Sequence, residues 1–466
     1  LELVTRIGDG NGKTTQPQEA ADKANLASEG PGEREKEICR EACRKLEQQH
    51  FLEPRIDRDL TEKMLEAYLR SLDPMKLYFL QSDIDLFTKS AADLPTVLKE
   101  GDTTLAYLIY DRLIERVSSR LPVIESLITE PHDFTKDESL ETDQAATKWA
   151  STDAEAKDKW RRRVKYDMLV SKMQGEKEGE VKEKLLRRYR SFKNRMMQMT
   201  SDELLEQFLN ALYQSVDSQS AYWSPETLAN FEIQMRSQLD GIGAQLKSED
   251  GLVSIVALTP GGAAARDGRL KPGDRIVGVA QGSNGDFVDV QDKRLNDVVN
   301  LVRGERGSTV RLKVVSEGSS VPRVYDITRS KIELKDQDVT GDVFSMGRKI
   351  DGSPRRVGVV KIPNFYCDME AMRRGEKNYK SSSRDCKALL EGFRRQKVDC
   401  VVVDVRDNGG GMANEFAASA GLFIDRGRVV QIKQKDGTVN KIDDKENGSS
   451  WQGPLVVLVN RRTSGV

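Results

Sequence analysis

The chain has 466 residues, 37% hydrophobic and 32% charged, with 74 Lys+Arg against 75 Asp+Glu for a net charge of −1. That balance supplies no global field to recruit nucleic acid or anionic lipid, and no window is apolar enough for a membrane-crossing helix. The length predicts about three domains. Five cysteines (Cys39, Cys43, Cys367, Cys386, Cys400) are scattered without a CxxC, which points to buried thiols rather than a zinc site or a disulfide framework. Cys39, Cys43, Leu46 and His50 share one helical face; as a Cys/Cys/His set they are a conceivable metal constellation, and a core stripe is the simpler reading. No metal or cofactor is expected. The chain opens at Leu1 without an apolar leader, so no signal peptide is expected within this segment and composition does not reveal the compartment.

In chain order, residues 1–33 are polar, Gly-rich and aperiodic, and are expected to form a disordered lead-in. Residues 34–235 read as an all-α domain. Leu60, Met64, Leu65, Tyr68, Leu69 and Leu72 fall on one helical face that stops at Asp73-Pro74, and Leu105, Leu108, Ile109 and Leu113 begin another. The basic stretch 157–195, with Arg161, Arg162, Arg163, Arg187, Arg188 and Arg190, is interrupted by Glu176, Glu178, Glu180 and Glu183. Solvated helix faces have this texture, so nucleic acid is not expected as a partner. Thr200 and Glu203 form a capping box for a helix that ends near Asp217, and Ser224-Pro225 starts the next.

From 236 to 334 the texture changes to short strands. Gly241-Ile242-Gly243-Ala244-Gln245-Leu246 leads into Val253–Val256, then PGGAAA from Pro260, LKPGDRIVGV from Leu270, a helix through Leu295, Val298, Val299 and Val302, and a closing strand Val310–Val315. This order resembles a PDZ domain. The resemblance implies that a peptide adds as a strand beside Ala244 to Leu246, with its terminal carboxylate held by the N–H groups of Gly241, Ile242 and Gly243, and with Leu295, Val298 and Val299 lining a side-chain pocket. Ordinary core packing is the competing reading for those three.

A polar linker is expected at about 341–356, followed by a strand Val357–Ile362 and a helix around Ala388–Phe393. The apolar run Val401, Val402, Val403, Val405 then reads as a buried strand that empties into Asn408-Gly409-Gly410-Gly411 before an Ala-rich helix. Side-chain-free residues let backbone N–H groups converge above the strand end, and the helix N-terminus adds partial positive charge, so the loop suits a phosphate or a transient oxyanion. Neither GxGxxG nor GxxxxGK[ST] is present, which disfavours phosphate. A tight turn without ligand is the remaining reading. A helix to Phe423, a hairpin turned at Asp436-Gly437 and the strand Leu455–Val459 complete an α/β domain over 335–466, with the face of that last strand expected to be partly uncovered.

The helical region, the PDZ-like module, VVVDVRDNGGG and GPLVVLVN together resemble the carboxy-terminal processing peptidases, specifically the tail-specific protease branch. The fold class expected is therefore multidomain α+β: an all-α N-terminal domain, a PDZ-type small β domain and an incomplete α/β peptidase domain. The resemblance implies a periplasmic or otherwise exported serine endopeptidase that recognises protein C-terminal tails and cleaves by a serine nucleophile with a lysine base. It also implies an oxyanion hole at Gly409, Gly410 and Gly411, protein substrates with free apolar tails, and an adaptor of unknown identity as a further partner. The two histidines, His50 and His132, both lie in the helical region, so a Ser-His-Asp triad in the α/β domain is excluded by inventory. Counted without a gap the family's nucleophile falls on Gly465, with Ser464 one place early, and the lysine-bearing segment is expected further downstream. This segment alone is accordingly expected to be inactive. A non-catalytic PDZ adaptor derived from such a protease is the alternative.

Overall fold

The computed structural model describes residues 30–249, 251–334, 337–444 and 447–464. Most of the expected lead-in, residues 1–29, and the nucleophile position counted to Gly465 lie outside these residues. The described chain folds as a helical region, a small β domain and a mixed α/β region.

Helices α1 (Glu33–Gln49), α2 (Arg58–Leu72), α3 (Gln81–Ser90), α4 (Leu94–Lys99), α5 (Thr104–Thr129), α6 (Asp153–Met173), α7 (Glu178–Met196), α8 (Ser201–Gln214) and α9 (Pro225–Arg236) make the first region. The stripe on α2 is buried throughout, and the helix stops at Asp73, whose carboxylate takes the N–H groups of Leu77, Tyr78 and Phe79. On α5 Leu105, Ile109 and Leu113 are buried, whereas Leu108 turns to solvent, one residue off the packed face. Thr200 and Glu203 cap α8 reciprocally. Cys39, Cys43 and Leu46 are core, and both thiols donate to the Leu98 carbonyl. His50 leaves that stripe: it caps the C-terminus of α1 and bonds Asp217 and Ser220.

Strands β1 (Gln238–Gly241), β2 (Ala244–Glu249) and β3 (Leu252–Leu258), helix α10 (Ala263–Asp267), strands β4 (Arg275–Gln281) and β5 (Val288–Asp289), helix α11 (Leu295–Val302) and strands β6 (Thr309–Val315), β7 (Arg323–Thr328) and β8 (Ser330–Glu333) follow. The sheet runs β2-β3-β4-β6-β7 with β5 on β4, so β2 lies at an edge. β6 does not close the domain as expected; β7 pairs beyond it, and β8 returns to pair antiparallel with β1. Gly241 is thereby part of β1, opposite Ser330, and the loop before β2 shrinks to Ile242-Gly243.

The expected linker at 341–356 is a strand and turn. β9 (Thr340–Arg348) pairs antiparallel with β10 (Pro354–Lys361). Its polar residues pair as exposed strand, and its glycine serves packing: a Cβ on Gly341 would sit 3.0 Å from Leu389 and 3.2 Å from the Phe393 ring, and one on Gly358 would sit 2.5 Å from that ring. Helices α12 (Met369–Arg373) and α13 (Ser382–Arg395), β11 (Cys400–Asp404), α14 (Ala413–Gly421), the hairpin β12 (Gly427–Lys433) and β13 (Val439–Asp444), and β14 (Leu455–Leu458) complete the chain. The sheet order is β14-β11-β10-β9, with β10, β11 and β14 parallel. Val401 and Val403 are core, and Val402 is half-buried on the opposite face. Residues 455–459 are 36–63% exposed, so the edge strand is uncovered among the described residues.

Candidate functional site

Two places converge backbone donors. The first is the mouth of the parallel strands, where β11 ends and the chain must reach α14. Asn408 directs this turn. It is buried, its amide donates to the Ile362 carbonyl (2.9 Å), and its Oδ1 accepts the Gly410 N–H (2.7 Å). The Gly410 carbonyl accepts from Phe365 N (3.0 Å), and Met412 N donates to the Phe365 carbonyl (2.8 Å). Gly410 and Gly411 hold φ of 101° and 143°, and a Cβ on Gly411 would lie 2.4 Å from the Phe365 oxygen. Only glycine fits there.

Gly410 thus has its N–H engaged within the loop, whereas the N–H groups of Gly409 and Gly411 donate to no group among the described residues. The backbone of Ser464 is brought to this loop: its N–H donates to the Asn408 carbonyl (2.9 Å). Thr463 anchors the turn, donating its hydroxyl to the Val405 carbonyl (2.7 Å), and Asn460 ties to Asp407. Beside Ser464 a cavity of about 310 Å³ is lined by Phe365, Val405, Phe416 and Phe423, with Ser419 on the same wall. Two lysines of the β12–β13 hairpin face elsewhere. Lys433 lies over the Phe51 ring (5.9 Å to its centroid), and Lys435 donates to the Gln48 carbonyl (2.6 Å), both in the helical region.

The second place is the free edge of β2. Gly243 has φ +76° and packs against Gly262, its carbonyl accepting Thr259 N–H, while the Ile242 carbonyl accepts Ala264 N–H. The N–H groups of Ile242 and Gly243 have no partner among the described residues. Ala244 and Leu246 are half-buried and packed against the domain core. Helix α11 runs beside β2. Leu295 and Val299 on it are half-buried, while Val298 is fully buried in the core. Sequence reading missed Arg303. Its side chain passes 4.0 Å from the Cβ position of Gly241, its guanidinium donates to the neutral Asn230 Oδ1 (2.9 Å), and it has no carboxylate partner among the described residues. Burial lowers its pKa, outweighing the opposing pull of the Glu226 carboxylate. Nothing in the local sequence marks it, because Asn230 lies on another element.

The chain matches three families in succession: the tail specific protease N-terminal domain over residues 42–226, the PDZ domain over 231–315 and peptidase family S41 over 356–465. It is 34% identical over 421 residues to the tail-specific protease of Haemophilus influenzae, covering 90% of this chain and 58% of the relative. To the carboxy-terminal processing protease CtpA of Bacillus subtilis it is 26% identical over 285 residues, or 60% of this chain and 54% of the relative. The chain therefore spans little more than half the length of these relatives. A crystal structure of the PDZ domain of a Vibrio cholerae carboxy-terminal protease in complex with peptide shares 46% identity, covering 21% of this chain and 99% of that one, with a TM-score of 0.20.

Proposed function

Because the chain belongs to the tail-specific branch of the carboxy-terminal processing peptidases, we propose that it forms the recognition module and the oxyanion half of a tail-specific serine endopeptidase. The observation that carries this reading is the pair of N–H donors at Gly409 and Gly411, unpartnered among the described residues, in the loop to which the backbone of Ser464 is bonded. Such donors stabilise the charge that develops when a hydroxyl attacks a peptide carbonyl; the carbonyl π electrons move onto oxygen and return as the amine departs, leaving an acyl-enzyme for water to cleave. A lysine ammonium that has lost its proton would take the hydroxyl proton and pass it to the departing amine.

Substrate recognition rests on the β2 edge. A peptide strand adds there, its free carboxylate meeting the N–H groups of Ile242 and Gly243 and the nearby Arg303, and its apolar side chains meeting Ala244, Leu246, Leu295 and Val299. Among the described residues no helix is long and apolar enough to cross a membrane, and the exported, periplasmic setting of the branch is the compartment we infer.

Residues 1–466 by themselves are expected to bind tails without turning them over, since Lys433 and Lys435 are committed to the helical region. The test pairs calorimetry on free-acid and amidated apolar peptides with incubation of the chain with an unfolded protein bearing such a tail. Amidation is expected to abolish binding, and equal binding of both forms defeats carboxylate capture. Steady turnover lost on Ser464→Ala defeats the expectation of inactivity and makes Ser464 the nucleophile.

A further inference from the structure

A loop of three glycines has more backbone freedom than any other, and nothing lies within 4 Å of the Cβ position of Gly409, so its donors keep one geometry only if the flanking chain is pinned. The pins form a closed circuit. Gly410 and Met412 bond to Phe365; Ser382 N donates to the Tyr366 carbonyl (2.9 Å), and Ser381 bridges Cys367. Helix α14 starts immediately after Met412 and presents Glu415 at its third position. Glu415 is 8% exposed and does not cap its own helix. Its Oε2 crosses to the start of α13 instead, accepting from Ser381 Oγ (2.8 Å), Ser382 Oγ (3.1 Å) and Ser383 N (2.9 Å).

We propose that Glu415 is a positioning residue for the glycine loop: one carboxylate at the converging N-termini of α13 and α14 locks both helix starts to the 365–367 segment and thereby sets where the Gly409 and Gly411 amides point. This rests on the reading of that loop as an oxyanion hole. Both helix dipoles favour negative charge at this point, and the carboxylate takes donors from two buried serine hydroxyls and one backbone N–H at once, so the contact is strongly determined. Removing it leaves the Asn408 bonds on one side of the loop and the backbone bonds to Phe365 on the other, without the lock between the two helix starts.

Hydrogen exchange read by mass spectrometry on the whole chain, over peptides covering Phe365, Gly410 and Met412, tests this. Glu415→Ala is expected to speed exchange of these anchored amides on the order of tenfold while tail-peptide affinity is unchanged. Glu415→Gln, which keeps an acceptor oxygen, should restore most of the protection, and Ser381→Ala should produce a smaller acceleration that is not additive with Glu415→Gln. Should Glu415→Ala fail to fold, the latter two variants carry the test. Unchanged exchange at these amides, or acceleration spread evenly over residues 357–464, overturns the proposal. Where tail-bearing substrate is hydrolysed, kcat is expected to fall with KM unaltered. Absence of turnover in the unsubstituted protein bears on the peptidase reading alone, and the exchange result still judges Glu415.

Discussion

At the scale of single residues, the three loop glycines are not equivalent. Gly411→Ala places a methyl group 2.4 Å from the Phe365 carbonyl oxygen at a φ of 143°, and about 1–3 kcal/mol of strain is expected before the clash is counted. Gly409→Ala meets nothing within 4 Å and is expected to leave the unfolding midpoint within about 0.5 kcal/mol of the original. Denaturant melts of the two variants separate them, and equal losses would contradict this placement. A second residue-scale expectation concerns acid. Burial pushes the Asp217 carboxyl up, but Ser220, the Gln219 N–H and His50 outweigh it and hold it at about 2. The folded pKa therefore lies below the unfolded one, so the stabilisation is full above about pH 4 and is lost as pH falls towards about 2. Partial exposure limits it to about 1 kcal/mol. The stability gap between the unsubstituted chain and Asp217→Asn should close over that window and stay constant above it.

At the scale of elements, the edge position of β2 and the two-residue turn before it make the proposed tail site local to one strand, one turn and one helix. Gly243→Val should weaken tail binding at least tenfold, since φ of +76° excludes a β-branched residue and the new Cβ would lie 3.2 Å from the Gly262 backbone. Titration calorimetry reads this, and undiminished affinity would move the carboxylate site elsewhere. These elements were legible in the sequence because their signals are local: helical stripes such as Leu60 to Leu72, the Thr200–Glu203 cap and the glycine runs all lie within a few turns of chain. β9 escaped because the signal that makes it a strand, pairing with β10 and glycine under the Phe393 ring, comes from other elements. Val298 showed the limit of helical periodicity, which groups it with Leu295 and Val299 but does not say which of the three is core.

At the scale of the whole molecule, the small β domain is tied on two sides. Arg294 at the start of α11 bonds both Asp297 and Glu203, the capping glutamate of α8, while Gln238 reaches Asp368 and Ser237 bonds Asp338 on the α/β side. The α/β region has an exposed apolar edge in β14 and a hairpin, β12–β13, that turns Lys435 onto the helical region. Exposed apolar edges favour local opening. Limited proteolysis should therefore cut within 357–464 before the 236–334 domain, and the reverse order would contradict it.

The residues of the chain, taken in order, determined the succession of helical, small β and α/β regions and the glycine turns, because each depends on periodicity, composition or near neighbours. Tertiary structure alone decided which loop amides stay free among the described residues, that Lys433 and Lys435 face the helical region, and that Arg303 stands beside Gly241 bonded to Asn230. It also decided that Glu415 crosses 34 residues of sequence to Ser381 and that His50 crosses 167 to Asp217. Such contacts exist only once separate elements pack, and a hydrogen bond between distant residues leaves no periodic trace in the sequence that makes it.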